Sequence, residues 1–262
     1  MAIVTFLSDF GDSDHYVAAV KASLLGINPN LSVIDITHKI PVCDTGAAAF
    51  TLGEVFNDFP KGTVHLVGVL PAGVQDFRYL AVKLEEHFFV GADTGIYNLI
   101  SGFQPTVVVD VNAVNKFNSP FPTKDILAPV AAKLASGQNI HNMGTDCDDW
   151  NRLTRSSAKA TRKQIAGNIL HVDHYGNLIT NIMRQDFEQI LKINKDCDFE
   201  INFKREKFTK LNESSADVTA GECFMFFNSN NRLQIGINQG NGSLLLGLKV
   251  SDQVFIDFKI EQ

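Results

Sequence analysis

The sequence predicts an α/β N-terminal domain on a mainly parallel sheet, followed by a smaller all-β, barrel-like C-terminal domain. Three observations carry this reading. Strand-like and helix-like patterns alternate up to residue 135, as in sheets covered by helices. A polar stretch without periodicity, 137–161, then reads as a linker. Beyond it short strand-like runs recur between turn residues, the pattern of a small barrel or sandwich. The boundary falls near residue 160, giving domains 1–160 and 161–262.

The elements follow in order. Ile3-Val4-Thr5-Phe6-Leu7 is a buried strand, and 14–25 has the spacing of a helix. Residues 31–36 form a strand and 45–56, rich in alanine, a helix; 63–70 is a strong strand. Residues 79–84 and 87–91 flank Glu85-Glu86 as a hairpin. A short helix can start in 93–100, 106–111 is another strand, and 126–135 a helix. In the second part the strands are 168–172, 178–182, 198–203, 223–227, 233–237 and 254–258, with one helix near 186–191. No internal repeat is present.

The first turn is the most informative segment. Ser8-Asp9-Phe10-Gly11-Asp12-Ser13-Asp14 places three aspartates at the carboxyl end of a sheet strand, where open α/β folds bind ligands. Capping of the next helix by Ser13 or Asp12 accounts for one of them. A carboxylate accepts both hydroxyls of a ribose or pairs with an ammonium group, so a nucleoside-like or amino-acid-like ligand fits. Asp93-Thr94-Gly95 is a second strand-to-helix turn with a carboxylate. Asp173-His174-Tyr175-Gly176-Asn177 joins two strands and offers a purine a ring face and an amide edge. Asn228-Ser229-Asn230-Asn231 reads as a hairpin turn.

Composition narrows the classes. The 262 residues are 45% hydrophobic and 20% charged, with a net charge of −6. That balance argues against nucleic acid or an anionic membrane as the main partner. No apolar run is long enough to cross a bilayer. No export signal is visible, so a cytoplasmic location is expected. Cys43, Cys147, Cys197 and Cys223 are scattered without a C-x-x-C pair, which suits a reducing compartment and gives no zinc site. His171 and His174 are read as strand residues pointing to opposite faces, and Asp146-Cys147-Asp148-Asp149 as solvated linker, so no metal is expected. The chain has no Gly-rich phosphate loop and no G-x-S-x-G elbow.

The ordered set SDFG-x-x-D-x-Y, VIDITH-x-I-P, FPKGTVH, GADTG, DILAPVAA and DHYGNLITNI resembles the S-adenosylmethionine hydroxide adenosyltransferases, to which the fluorinase and chlorinase enzymes are related. The resemblance implies an α/β domain followed by a β-barrel domain, a homotrimer, and a ligand held between the first domain of one subunit and the second of its neighbour. The implied reaction is displacement at the ribose C5′ of S-adenosylmethionine by hydroxide or halide, with methionine as the leaving group and no further cofactor. It implies Asp9 for the ribose hydroxyls, Asp14 for the methionine ammonium, Tyr175 and Asn177 for the adenine, and Ser229 for the methionine end. Tyr16, Asp93 and Asp173, which fall in the matching motifs, and Thr123 complete the expected binding set.

The chain departs from that pattern at the catalytic groups. Hydroxide-transferring members carry an aspartate, an arginine and a histidine that activate water. Aligned without gaps, those positions hold Leu70, Phe77 and Pro122. The turn Leu70-Pro71-Ala72-Gly73 is closer to the Y-P-A-T of halogenating members but lacks its tyrosine and threonine hydroxyls. Thr123 stands at the position of the halide-pocket serine. The expectation is therefore S-adenosylmethionine binding with cleavage at the ribose C5′ to an adenosine product and methionine, the alternatives being a non-catalytic S-adenosylmethionine- or adenosine-binding or sensing protein, or displacement by another anion such as halide.

Overall fold

The computed structural model describes residues 2–69, 78–111 and 119–260. It divides into two compact units, Met1–Arg155 and Ser156–Gln262.

The first unit is built on β1 (Ile3–Ser8), β2 (Ser32–Thr37), β3 (Val64–Gly68), β4 (Tyr79–Leu84), β5 (His87–Ala92), β6 (Val107–Asp110) and β7 (Thr145–Asp146). They form one sheet in the order β2-β1-β3-β5-β4-β6-β7. The helices are α1 (Tyr16–Ile27), α2 (Thr45–Gly53), α3 (Tyr97–Ile100) and α4 (Ala128–Ala135). Strand periodicity explains the layering. Val4 and Phe6 of β1, with Val64 and Leu66 of β3, face the cluster that holds Val20 and Leu24 of α1 and the buried side of α4. Leu7 and Val67 face the opposite cluster, with Ala48 and Leu52 of α2 and Tyr97 of α3. Both sheet faces are buried, so these strands read as continuous apolar runs.

A mainly parallel sheet was expected, and the sheet is mixed. β1 runs parallel to β2 and β3, and β3 parallel to β5. β4, β6 and β7 add antiparallel pairings. The cause is local: Leu84 pairs with His87 across Glu85-Glu86, with Glu85 at φ 53°, and a two-residue turn can join only antiparallel strands.

The stretch expected to be a linker is largely structured. β7 pairs with β6, and Ile140, Met143 and Trp150 are buried in the two clusters. These apolar anchors are too sparse to give a periodic signal.

The second unit contains β8 (Lys159–Ala160), β9 (Gln164–Val172), β10 (Leu178–Met183), β11 (Phe199–Phe203), β12 (Glu206–Phe208), β13 (Cys223–Phe227), β14 (Arg232–Ile237) and β15 (Gln253–Phe258), with helices α5 (Arg184–Ile193) and α6 (Gly242–Leu246). The antiparallel order is β12-β11-β15-β9-β10-β14-β13, with β8 on β9. β9 is the pivot: residues 164–168 pair with β15, and Ile169, His171 and Val172 pair with β10. Where the β9–β10 register shifts, the Asn181 side chain accepts from the Asn168 amide at 2.8 Å, taking the place of a ladder bond. The expected barrel is therefore a curled sheet. Among the described residues its edge strands β12 and β13 do not pair with each other. β12 and α6 were not anticipated; each is too short to carry a period.

His65 lies in the centre of the first sheet. Its Nδ1 is 2.7 Å from Thr5 Oγ1 and its Nε2 is 3.2 Å from His87 Nδ1. Burial, aided by His87, lowers the His65 pKa to about 3, and burial also lowers that of His87. Below the ordinary value of 6.5 the unfolded chain binds protons that the folded chain refuses. For His65 stability is full above that pH and falls as pH drops toward about 3, by up to roughly 1.4 kcal/mol per pH unit; His87 acts in the same direction. Urea unfolding at pH 7 and pH 4.5 should show a smaller loss for His65→Gln than for the parent. Equal losses in the two proteins would contradict this.

Candidate functional site

The chain leaves β1, crosses to β2 on one side, and returns to β3 on the other. With right-handed crossovers this reversal puts α1 and α2 on opposite faces. The ends of β1 and β3 lie at this reversal, and the crevice at such a switch point is where ligands bind. A methyl group on Gly68 would lie 3.1 Å from Ser8 Cβ and 3.2 Å from Thr123 Cγ2, so glycine lets these strand ends and the start of the α4 segment close together.

Asp9 follows β1 directly and is half-buried. Its Oδ2 accepts from the Cys43 amide at 2.8 Å, and Cys43 holds φ 62°, a left-handed conformation uncommon outside glycine. Among the described residues Oδ1 of Asp9 has no hydrogen-bond partner. Helix capping accounts for none of the three aspartates: the residue before α1 is His15, which makes no side-chain cap. Asp12 instead pairs with Lys39 at 2.8 Å, which lowers the Asp12 pKa. Asp14 is exposed, and its carboxylate is unpaired among the described residues. Tyr16 is exposed and joins Phe10 and Phe121 in a cluster with ring centroids 5.6–6.1 Å apart.

Thr123 opens a π-helical turn, Thr123–Leu127, that runs into α4. It is fully buried, and among the described residues its Oγ1 has no hydrogen-bond partner. An orphaned buried hydroxyl costs about 1–3 kcal/mol, and π turns recur at functional sites. Pro122 stands just before it. Leu70 and Phe77 lie outside the described residues.

Asp93 is 3% exposed and committed internally. Its Oδ2 receives Arg78 Nη2 at 2.8 Å, and its Oδ1 receives the Asn151 amide at 2.8 Å. The carboxylate fastens the segment after β7 to the end of β5. The linker reading of 146–149 is corrected in part, since Asp146 is in β7 and Cys147 packs on the core, while Asp146, Asp148 and Asp149 are exposed as expected.

In the second unit the turn 173–177 is organised by one carboxylate. Asp173 Oδ1 accepts from the amides of Tyr175 at 2.9 Å and Asn177 at 2.8 Å, and Oδ2 from Asn177 Nδ2 at 2.9 Å. His174 is thus a turn residue rather than a strand residue. Tyr175 is left 75% exposed. It lines a cavity of 530 Å³ with Asn177, Phe224, Phe226, Gln234 and Asn238. Phe224 and Phe226 stack at 5.3 Å and 14°. A methyl group on Gly236 would lie 2.3 Å from Asn177 Oδ1, so the amide depends on that glycine. Ser229 is exposed on a separate turn, closed by the Asn231 amide on the Asn228 carbonyl at 2.9 Å.

The structure thus gathers Asp9 and Thr123 around the β1 and β3 ends, and Asp173, Tyr175 and Asn177 in one turn. Phe224 and Phe226 were missed, although their alternation in β13 was legible. Among the described residues no group of three or more His, Cys, Asp or Glu could hold a metal, and no helix is long and apolar enough to cross a membrane.

Residues 4–144 match the SAM hydroxide adenosyltransferase N-terminal domain, and residues 167–255 its C-terminal domain. The chain belongs to the SAM hydroxide adenosyltransferase family. Among relatives of this family member, an (R)-S-adenosyl-L-methionine hydrolase of Thermus thermophilus is 29% identical over 95% of this chain and 97% of its own. A fluorinase of Actinoplanes sp. is 27% identical over 71% of this chain and 74% of its own. The crystal structure of an uncharacterised conserved protein from Thermotoga maritima superposes with a TM-score of 0.86 at 29% identity, covering 97% of this chain and 99% of that one.

Asp173→Ala would leave two amides and a side-chain NH2 without their acceptor. A loss of about 1–3 kcal/mol in urea unfolding is expected, with reduced protection of the Tyr175 and Asn177 amides in hydrogen exchange. Unchanged protection would show that the turn does not depend on this carboxylate.

Proposed function

We propose that this family member binds S-adenosylmethionine and cleaves it at the ribose C5′ to an adenosine product and L-methionine. The observation that carries the reading is Asp9. Its carboxylate stands at the switch point with one oxygen on the Cys43 amide and the other uncommitted among the described residues. A ribose diol donates two hydrogen bonds to such a group. Asp14 takes the methionine ammonium, Tyr175 the adenine face and Asn177 its edge, with Ser229 at the methionine end. Attack by an anion on a sulfonium substrate removes charge in the transition state, so a dry site around Thr123 favours the reaction once the anion is desolvated.

A non-catalytic sensor is the second reading, favoured by Pro122. Proline at the position where hydroxide-transferring members carry histidine cannot accept a proton. Displacement by halide is a variant of the first reading, and the unpartnered Thr123 hydroxyl is a donor for such an anion. The proposal includes a cytoplasmic cyclic homotrimer with no further cofactor and no nucleic-acid or membrane partner. Light scattering at micromolar concentration should give three times the 28.8 kDa chain mass; a monomer would reject that assembly.

Asp9→Ala should weaken S-adenosylmethionine binding by about 2–4 kcal/mol in calorimetry. Undiminished binding would remove the ribose role. Chromatography of S-adenosylmethionine incubated with the pure protein, with and without halide, separates the readings. Adenosine or a 5′-halo nucleoside supports cleavage, and unchanged substrate with measurable binding supports the sensor. Leu70→Asp, Phe77→Arg and Pro122→His combined should raise adenosine release.

A further inference from the structure

Ser8 and His38 make contacts that the binding set does not use. Ser8 ends β1, is fully buried, and places its Oγ 2.7 Å from His38 Nδ1. The Phe10 amide donates to the same Oγ at 3.4 Å. With that donor in place, the serine hydroxyl is free to donate to His38 Nδ1. Nε2 lies 3.1 Å from Asp35 Oδ1, and Asp35 Oδ2 lies 2.5 Å from Lys21 Nζ. The ring is nine-tenths buried and packs edge-on against Phe6 at 4.7 Å.

This chain of contacts joins two loops. The Gly11 amide donates to the His38 carbonyl at 2.7 Å, and the Ile40 amide to the Ser8 carbonyl at 3.4 Å. A few residues along the second loop is Cys43, whose left-handed backbone turns its amide onto Asp9 Oδ2. A non-glycine residue stays in that conformation only where its surroundings hold it. The loop 38–43 therefore sets the direction of Asp9, and its main side-chain attachment to β1 is the Ser8–His38 bond.

We infer that Ser8 and His38 are positioning residues that hold the Cys43 amide on Asp9 and so aim the free carboxylate oxygen at the ribose diol. Asp35 Oδ1 approaches Nε2 on the far side of the ring without an aligned hydrogen bond among the described residues, so the ring's side-chain hydrogen bond is the one to Ser8. The inference rests on the reading of Asp9 as the ribose ligand, and its consequence is specific. Loss of the Ser8–His38 bond blurs recognition of the ribose hydroxyls more than it weakens binding of the rest of the molecule.

The test compares calorimetric affinities for adenosine and 2′-deoxyadenosine in the parent, Asp9→Ala, Ser8→Ala, His38→Ala and His38→Asn. An asparagine amide reaches roughly the place of Nδ1, so His38→Asn keeps a partner for Ser8. The ratio of the two affinities should fall about tenfold in Ser8→Ala and His38→Ala, as for one lost hydrogen bond to an aligned charged group, and recover in His38→Asn. The Cys43 amide, followed by hydrogen exchange without ligand, should lose protection in the same two variants. If Asp9→Ala abolishes the discrimination while Ser8→Ala and His38→Ala retain both it and Cys43 protection, the inference falls and the reading of Asp9 stands. If Asp9→Ala leaves discrimination unchanged, the reading of Asp9 falls and takes the inference with it, whatever happens at Cys43. Should His38→Ala fail to fold, Ser8→Ala and His38→Asn still give opposite expected results.

Discussion

Burial of β1 on both faces is the constraint from which the rest of the first unit follows. Val4 and Phe6 need one apolar layer and Leu7 another, so helices must cover both sides of the sheet. A chain with right-handed crossovers meets that need by extending the sheet first on one side of β1 and then on the other. The reversal opens the strand ends at Ser8 and Gly68. A carboxylate there is held at the rim of a buried sheet, within reach of a backbone amide. The position of Asp9 is thus a consequence of hydrophobic layering before it is a matter of recognition.

The two units solve the same problem differently. In the first, backbone amides and buried side chains define the site, as with the Cys43 amide on Asp9 and the orphaned Thr123 hydroxyl. In the second, a turn stiffened by Asp173 presents an aromatic ring outward beside the stacked pair Phe224 and Phe226. The proposed reading gives the ribose to the first arrangement and the adenine to the second. Both are preorganised by hydrogen bonds within the protein, which limits the ordering cost of binding.

Much of this was legible in the sequence, and the failures have physical causes. Strands buried on one or both faces announced themselves, as did the hairpin around Glu85-Glu86 and the α5 region. The parallel character of the sheet was overestimated because strand signals carry no direction; only loop lengths do. Segment 137–161 looked like a linker because β7 is two residues long and Trp150 is a lone anchor. Among the candidate residues, Asp9 and Tyr175 were readable as a carboxylate and an aromatic in strand-end turns, each in its own unit. Asp93 was equally readable and is held instead by Arg78 and Asn151, contacts distant in sequence that no local pattern reveals. The same holds for Ser8 with His38, thirty residues apart.

The central claim is that the bond broken is the one between sulfur and the ribose C5′, with the nucleophile arriving at that carbon. Incubating the protein with S-adenosylmethionine in ¹⁸O-water and weighing the products by mass spectrometry tests it most directly. The account predicts adenosine carrying one heavy oxygen at its 5′ position and methionine at its ordinary mass. Adenosine without the label, or label appearing in the amino-acid product, would contradict it.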